Sequence, residues 1–311
     1  MKNELLIGTY TRRDSEGIMA LDLETLAVRL VHKEKACTYL VRRDEQVYSV
    51  FSDAQGAGIL ILDEGKVYSG ETNASCHLAI HPTKDLLAST NYGEGSLQFF
   101  TKVEGEWKLA KRIVSGEGSH QHFVYFTKDG EHIIVCDLGL NQLVTYDYEF
   151  NLVSVHQFKE NIGPRHFVTS YDEQYFYLLS ELSNELLVLE RTGLEFKVIQ
   201  RESILLDEKS EGNNAAAIRM SADNQFIYTS TRNNEEAITV FKVEDHLVKR
   251  VQYLKSGGLH PRDINLSAQE DHLIVANKDS DNLVFFKRDQ ETGQLSYDYE
   301  VKVSEPVCVL V

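Results

Sequence analysis

Cysteine, proline and tryptophan are scarce in this 311-residue chain, which contains four, four and one of them, respectively. The cysteines form no Cys-x-x-Cys pair, so the sequence offers neither a disulfide framework nor a typical zinc-binding or redox motif. We therefore expect free thiols in a reducing compartment, and no metal or other cofactor. The four residues are Cys37, Cys76, Cys136 and Cys308.

Long apolar runs and an excess of positive charge are missing as well. No segment reaches the roughly 18 apolar residues of a membrane span, and residues 1–8 show no signal-peptide pattern. The 32 Lys and Arg residues are outnumbered by 48 Asp and Glu residues, which gives a net charge of −16. Such a surface repels nucleic acids and anionic membranes. The sequence thus predicts a cytoplasmic protein without a nucleic-acid or membrane partner.

Short catalytic motifs are also absent from the chain. It contains no Gly-x-Ser-x-Gly nucleophile elbow, no glycine-rich phosphate loop and no His-Glu-x-x-His zinc motif. Any active site must therefore be assembled from residues that are distant in the sequence.

A repeated unit is present instead. It consists of a short apolar strand, a polar turn, a second apolar strand and a charged or polar residue. Consecutive copies begin 38 to 51 residues apart, and repeats of this length built from strands are typical of a β-propeller. The copies begin at Tyr39, His77, His122, His166, Ala217 and Asp263.

Each unit continues into two further apolar strands, for example residues 143–148 and 283–287, which gives four strands per unit. Residues 306–311 form one more first strand, and residues 4–23 form strands without a preceding start. We expect the C-terminal strand to complete the N-terminal blade, because this closes the ring and removes open edges. The predicted fold is all-β. It is a single domain over residues 1–311, a seven-bladed β-propeller with four antiparallel strands per blade.

In a propeller, equivalent positions of all blades meet around the axis. The strand starts then form one ring, and the residues at the ends of the second strands form another. Adjacent strands of a hairpin bring the two rings together, so we expect His122 near Asp137 and His166 near Glu181. A carboxylate beside a histidine fixes its tautomer, and arginine binds carboxylate or phosphate groups. The candidate substrate-binding residues are His77, Asp137, His166, Arg219, Arg232, Arg262 and Lys278.

Several of these segments resemble the seven-bladed propeller lactonase family, which includes propeller-type 6-phosphogluconolactonases and carboxymuconate-cyclising enzymes. The resemblance covers the whole chain in order, and it implies a metal-free enzyme that acts on cyclic esters. It also implies that His122, Arg165 and Glu181 are the catalytic residues. The matching segments are residues 7–11, 91–96, 120–122, 136–140, 163–167, 180–182 and 276–282.

The chain departs from the family pattern at two positions. Ala217 stands where the family usually has Glu, and Asp263 stands where its second Pro-Arg-His motif has His. The leading hypothesis is hydrolysis of 6-phosphogluconolactone to 6-phosphogluconate, with a small anionic lactone as substrate. In this hypothesis Glu181 or His122 is the general base, and Asp137 orients His122.

Two alternatives remain open from the sequence. The same arginines could serve a carboxymuconate cycloisomerase, or the propeller could be a non-catalytic platform for binding or assembly. The oligomeric state is also left open.

Overall fold

The computed structural model describes residues 4–207 and 210–311. Residues 1–3 and 208–209 lie outside the described residues, and the first three belong to the segment in which no signal-peptide pattern was found. Within the described residues there are 28 strands in seven antiparallel sheets of four. No helix long and apolar enough to span a membrane occurs in those residues. The seven-bladed propeller predicted from the repeat is therefore confirmed.

The first four blades contain the strands that follow. Blade 1 contains β1 (Glu4–Thr9), β2 (Gly17–Asp22), β3 (Val28–Lys33) and the last strand, β28 (Pro306–Leu310). Blade 2 contains β4 (Leu40–Arg43), β5 (Gln46–Asp53), β6 (Gly56–Ile61) and β7 (Gly65–Glu71). Blade 3 contains β8 (His77–Ile80), β9 (Leu86–Asn91), β10 (Ser96–Val103) and β11 (Glu106–Val114). Blade 4 contains β12 (Gln121–Phe126), β13 (His132–Asp137), β14 (Gln142–Asp147) and β15 (Leu152–Gln157).

The remaining three blades have the same arrangement. Blade 5 contains β16 (Pro164–Thr169), β17 (Tyr175–Ser180), β18 (Glu185–Thr192) and β19 (Glu195–Ser203). Blade 6 contains β20 (Asn214–Met220), β21 (Phe226–Arg232), β22 (Ala237–Glu244) and β23 (Leu247–Lys255). Blade 7 contains β24 (Pro261–Leu266), β25 (His272–Asn277), β26 (Asn282–Arg288) and β27 (Leu295–Lys302).

The position of a strand within its blade explains its composition. Second strands such as β13 and β17 are covered on both faces by neighbouring blades, and they are almost continuously apolar and buried. Outer strands such as β11 and β23 are largely exposed and carry lysine and arginine. Aromatic side chains fill the space between blades, as Phe123, Phe167 and Phe176 do between blades 4 and 5. Burial of each such ring contributes roughly 1.5–3 kcal/mol.

The ring is closed by strands from the two ends of the described chain. β28 pairs with β1 in antiparallel register, with Leu310 opposite Leu6 and Val309 opposite Ile7. Gly8 allows the close approach that this closure needs, because a Cβ atom at Gly8 would lie 2.6 Å from the backbone oxygen of Cys37. The predicted closure of blade 1 by the C-terminal strand is therefore confirmed.

Asp263 joins three blades at this closure. One oxygen of its buried carboxylate lies 2.9 Å from Nη2 of Arg219 on β20, and the other accepts a 2.9 Å hydrogen bond from the backbone N–H of Val309 on β28. Asp263 itself lies on β24 of blade 7, so its side chain links blades 6, 7 and 1. The departure from the family's histidine at this position therefore has a structural role in this chain.

Deletion of residues 306–311 is expected to prevent cooperative folding, because it exposes the inner edge of β1 and removes the apolar side chains of β28 from the core. Deletion of Val311 alone, which lies beyond β28 and is only partly buried against the core, is the matched control and should lower the thermal midpoint far less. Circular dichroism melting of both proteins makes the comparison. Equal stability of the shorter protein and the control would contradict the structural role of β28.

Replacing Asp263 with Ala is expected to destabilise the protein by about 2–3 kcal/mol, because it leaves Arg219 without its ion pair and the Val309 N–H without an acceptor. The double variant Asp263→Leu/Arg219→Met removes both charges together and should recover part of this loss. Urea unfolding of the three proteins measures the effect. A double variant at least as unstable as Asp263→Ala would show that the stranded charge is not the cause.

Candidate active site

A cavity of about 520 Å³ lies where the first strands of the blades begin. The first strands of neighbouring blades pack against one another around the axis, and this brings their starting residues together. Polar and apolar groups share the cavity lining about equally, although most of the protein's interior is apolar. The charged and imidazole groups used below are His122, Arg165, His166, Glu181, Arg232 and Arg262.

Glu181 forms the centre of the charged groups in this cavity. Its Oε2 atom lies 2.8 Å from Nε of Arg165, and its Oε1 atom lies 2.6 Å from Nη2 of Arg232. Arg165 is only 2% exposed, and burial, together with the charge of Arg262, lowers its pKa to about 10. Each oxygen of the Glu181 carboxylate is engaged by one arginine. Glu181 therefore fixes the positions of two cations.

Three histidines form a buried group beside these ions. Nε2 of His166 lies 3.2 Å from Nδ1 of His122 and 3.4 Å from Nη1 of Arg165. The ring of His77 meets the ring of His166 edge-on at a centroid distance of 5.4 Å. Burial lowers the pKa of all three histidines well below the ordinary value, and the charge of Arg165 acts in the same direction. The three imidazoles are therefore neutral at pH 7.

Asp137 does not interact with His122 as the sequence analysis expected. One oxygen of its carboxylate accepts a hydrogen bond from Oγ of Ser119 at 2.7 Å, and the other accepts bonds from the backbone N–H groups of His120 and Leu140, both at 3.0 Å. The carboxylate is completely buried in the turn after β13. Aspartate at the end of a strand often caps a turn in this way. The structure therefore gives Asp137 a structural role and shows no pairing with His122.

The second expected pair, His166 and Glu181, is brought together indirectly. Arg165 lies between them and contacts both side chains. Repeat register correctly placed His122, His166, Arg232 and Glu181 in one region, but it did not identify their contacts.

Three other candidates lie away from the cavity lining. His77 lies behind His166, where its Nδ1 atom accepts a 3.4 Å hydrogen bond from the N–H of Val124. Arg219 is engaged by Asp263. Lys278 lies 3.2 Å from the carboxylate of Asp279 and 5.7 Å from the ring centre of Tyr10. None of the three therefore lines the cavity.

Arg262 differs from Arg165 and Arg232, the two arginines of the cavity that pair with Glu181. Across residues 4–207 and 210–311, its side chain forms neither a hydrogen bond nor an ion pair, although it lines the cavity. Its positive charge lowers the pKa of both Arg165 and His122, which places it within electrostatic reach of the two. An unpaired guanidinium that faces a cavity is a ready binding group for phosphate or carboxylate.

Tyr10, Arg12 and Tyr92 also line the cavity but were not selected as site candidates from the sequence. Tyr92 stacks on His120 at 4.4 Å and meets the ring of His122 edge-on at 5.8 Å. Tyr10 and Arg12 lie in the loop after β1, where the guanidinium lies 4.4 Å from the ring centre. Tyr92 belongs to the predicted ring of residues at the ends of the second strands, so its position in the repeat could have identified it. The loop of Tyr10 and Arg12 belongs to no repeat start, so register could not find it.

No group of three or more His, Cys, Asp or Glu side chains in the described parts of the chain is arranged to hold a metal ion. Within the described residues, the cavity contains two neutral imidazoles, two arginines held by one carboxylate, and the guanidinium groups of Arg262 and Arg12, which have no carboxylate partner. Together these groups can bind an anion, accept a proton and stabilise a developing negative charge.

Comparison with known proteins identifies the family of this chain. The sequence profile of the family described as "Lactonase, 7-bladed beta-propeller" matches residues 4–311. An uncharacterised protein of Staphylococcus aureus is 30% identical over 338 residues, covering 98% of this chain and 98% of its own. A Lactobacillus plantarum crystal structure has a TM-score of 0.91 and 29% identity, and covers 100% of this chain and 99% of its own.

Two further solved structures share the fold at lower identity. A candidate 6-phosphogluconolactonase of Bacteroides fragilis is 24% identical with a TM-score of 0.86, covering 98% of this chain and 96% of its own. The periplasmic gluconolactonase of Pseudomonas aeruginosa is 23% identical with a TM-score of 0.87, covering 98% of both chains. The family profile extends over nearly the whole chain, and this protein therefore belongs to the seven-bladed β-propeller lactonase family.

Proposed function

We propose that the protein hydrolyses a phosphorylated sugar-acid δ-lactone, 6-phosphogluconolactone, to 6-phosphogluconate. The observation that carries the proposal is the unpaired Arg262 in the same cavity as neutral His122 and the Arg165–Glu181 pair. A cavity of about 520 Å³ is within the usual range for small-molecule sites. The similar proteins of Bacteroides fragilis, a candidate 6-phosphogluconolactonase, and of Pseudomonas aeruginosa, a gluconolactonase, support a sugar-acid lactone as the substrate class.

His122 is the proposed general base. It is neutral at pH 7 and lines the cavity, so it can accept a proton from the attacking water. Glu181 is a poorer base, because both of its oxygens are engaged by arginines. Its proposed role is to hold Arg165 and Arg232 in place. The proposal therefore assigns the proton to His122 and not to Glu181.

The reaction then proceeds in two proton-balanced steps. Water adds to the lactone carbonyl carbon while His122 takes its proton, and the carbonyl oxygen becomes an oxyanion next to the Arg165 guanidinium. The tetrahedral intermediate collapses, and the bond between the carbonyl carbon and the ring oxygen breaks. His122 returns the proton to that oxygen, which leaves as the sugar hydroxyl. The product is the open-chain acid, and no cofactor is needed for atom or electron balance.

Arg262 is the proposed phosphate-binding residue, with Arg12 at the rim as a second positive charge. Arg165, Arg219 and Arg232 each already have a carboxylate partner within hydrogen-bonding distance, which offsets their positive charge and makes them weaker phosphate-binding groups than Arg262. We also place the reaction in the cytoplasm, since all four cysteines are unpaired.

Replacing Arg262 with Gln is expected to raise KM for 6-phosphogluconolactone by roughly 10- to 100-fold, because one charge-assisted contact with phosphate is lost. KM for unphosphorylated gluconolactone should change little. Initial rates of acid release, corrected for spontaneous hydrolysis, give both constants. Lys278→Gln is the matched control, because Lys278 lies outside the cavity lining and pairs with Asp279. An equal rise in KM for both lactones would contradict phosphate binding by Arg262. Absence of hydrolysis by the unaltered protein would favour the binding-platform alternative.

The pH dependence of kcat/KM tests the assignment of His122. Burial and the charges of Arg165 and Arg262, together with neighbouring His77, lower the pKa of His122 well below 6.5. Catalysis requires the neutral ring, so kcat/KM should stay constant as pH falls through 6.5 and decline only at the depressed pKa. Arg262→Gln removes one of these charges, so the acid limb should move to higher pH. Rates measured from about pH 5 to pH 8 will show the shift. A decline centred at 6.5 or above in the unaltered protein would contradict the assignment.

A further inference from the structure

The hydrogen-bonding capacity of Arg165 constrains the protonation of two histidines. A guanidinium has only N–H donors and cannot accept a hydrogen bond. The 3.4 Å contact of Arg165 Nη1 with His166 Nε2 therefore places a lone pair, and no proton, on that nitrogen. His166 then carries its own proton on Nδ1.

The same nitrogen of His166 also contacts His122. Nδ1 of His122 lies 3.2 Å from it, and one of two nitrogens at this distance must carry a proton. Because Nε2 of His166 already accepts from Arg165, the donor is Nδ1 of His122. A neutral imidazole has one N–H, so Nε2 of His122 is left with a lone pair.

The free nitrogen of His122 is the one available for chemistry. Within residues 4–207 and 210–311, Nε2 has no hydrogen-bond partner. This nitrogen atom is not itself buried, and His122 lines the cavity. The lone pair is thus accessible from the cavity, where the proposed water would stand. In the other tautomer, this position would carry a proton and could not act as a base.

We propose that His166 is the positioning residue that holds His122 in the Nδ1–H tautomer, in a chain Arg165–His166–His122 anchored by Glu181. This inference rests on the proposed function only for the use of the tautomer, which is to accept a proton from water. The tautomer itself is a property of the protein without substrate. It assigns to His166 the task that a carboxylate performs in many hydrolases, and that Asp137 cannot perform here because it caps a turn.

The ion pair between Glu181 and Arg165 explains how two neutral histidines are held beside a cation. Glu181 fixes Arg165 through Nε, so that Nη1 keeps a constant direction toward His166. Within residues 4–207 and 210–311, no carboxylate contacts either the His122 or the His166 imidazole, so the fixed tautomer does not require a charged histidine. Both rings are buried, and the arrangement keeps them neutral.

The tautomer can be measured directly on the unaltered protein. Long-range ¹H–¹⁵N correlation spectra of protein labelled with ¹⁵N-histidine distinguish a protonated from an unprotonated ring nitrogen. The His122 signals are identified by their loss in His122→Gln. The expected result at neutral pH is a protonated Nδ1 and an unprotonated Nε2. A protonated Nε2 of His122 would overturn the proposal.

Two substitutions of His166 separate positioning from packing. His166→Gln keeps an acceptor oxygen near the place of Nε2, so His122 should retain its tautomer and kcat should stay within about threefold. His166→Leu fills similar space without an acceptor, so His122 should show both tautomers and kcat should fall on the order of 10- to 100-fold, with KM little changed. His246→Asn, in the exposed turn between β22 and β23, is the matched control.

The outcomes distinguish this inference from the proposed function. An unchanged tautomer in His166→Leu, or equal losses of kcat in the Gln and Leu variants, would overturn the positioning role even if the protein is a lactonase. The expected tautomers in all three proteins without any lactone hydrolysis would support the positioning role and overturn the proposed reaction. Melting curves confirm that each variant is folded before it is compared.

Discussion

Pairing between β28 and β1 is the constraint on which the remaining structure depends, because a propeller has a central axis only when its ring is closed. Closure holds the first strands of all blades against one another and directs their starting residues toward one cavity. Closure also gives some of the residues around the axis a structural role. Asp263 contributes to this closure through Val309 and Arg219, so the side chains around the axis serve the ring as well as the site.

The electrostatics of the site follow from burial within this closed ring. Neutral histidines and buried arginines can coexist because Glu181 supplies the compensating charge to two cations, and the imidazoles remain uncharged. Arg262 has no such compensation and faces the cavity. A negatively charged substrate would therefore balance the charge of the cavity. This local attraction has to overcome the long-range repulsion from a protein whose net charge is −16.

The repeat predicted the fold and the approximate location of the site, because strand spacing determines which residues reach the axis. It could not predict partners. Asp137 and Glu181 occupy the same register in neighbouring blades, yet one caps a turn and the other binds two arginines. The difference depends on nearby Ser119 and on Arg232 of the next blade, which are contacts in three dimensions. Likewise, no pattern in the sequence distinguishes the unpaired Arg262 from the paired Arg219.

The composition of blade 1 has a consequence for synthesis of the protein. Its innermost strand, residues 306–310, is about 300 residues away in sequence from its neighbour β1. Blades 2 to 7 each consist of consecutive strands and can form as the chain leaves the ribosome, whereas blade 1 must wait for β28. Until then β1 has an unpaired edge, and the axial cavity has no fixed shape. Assembly of the active site is thus coupled to completion of the last strand.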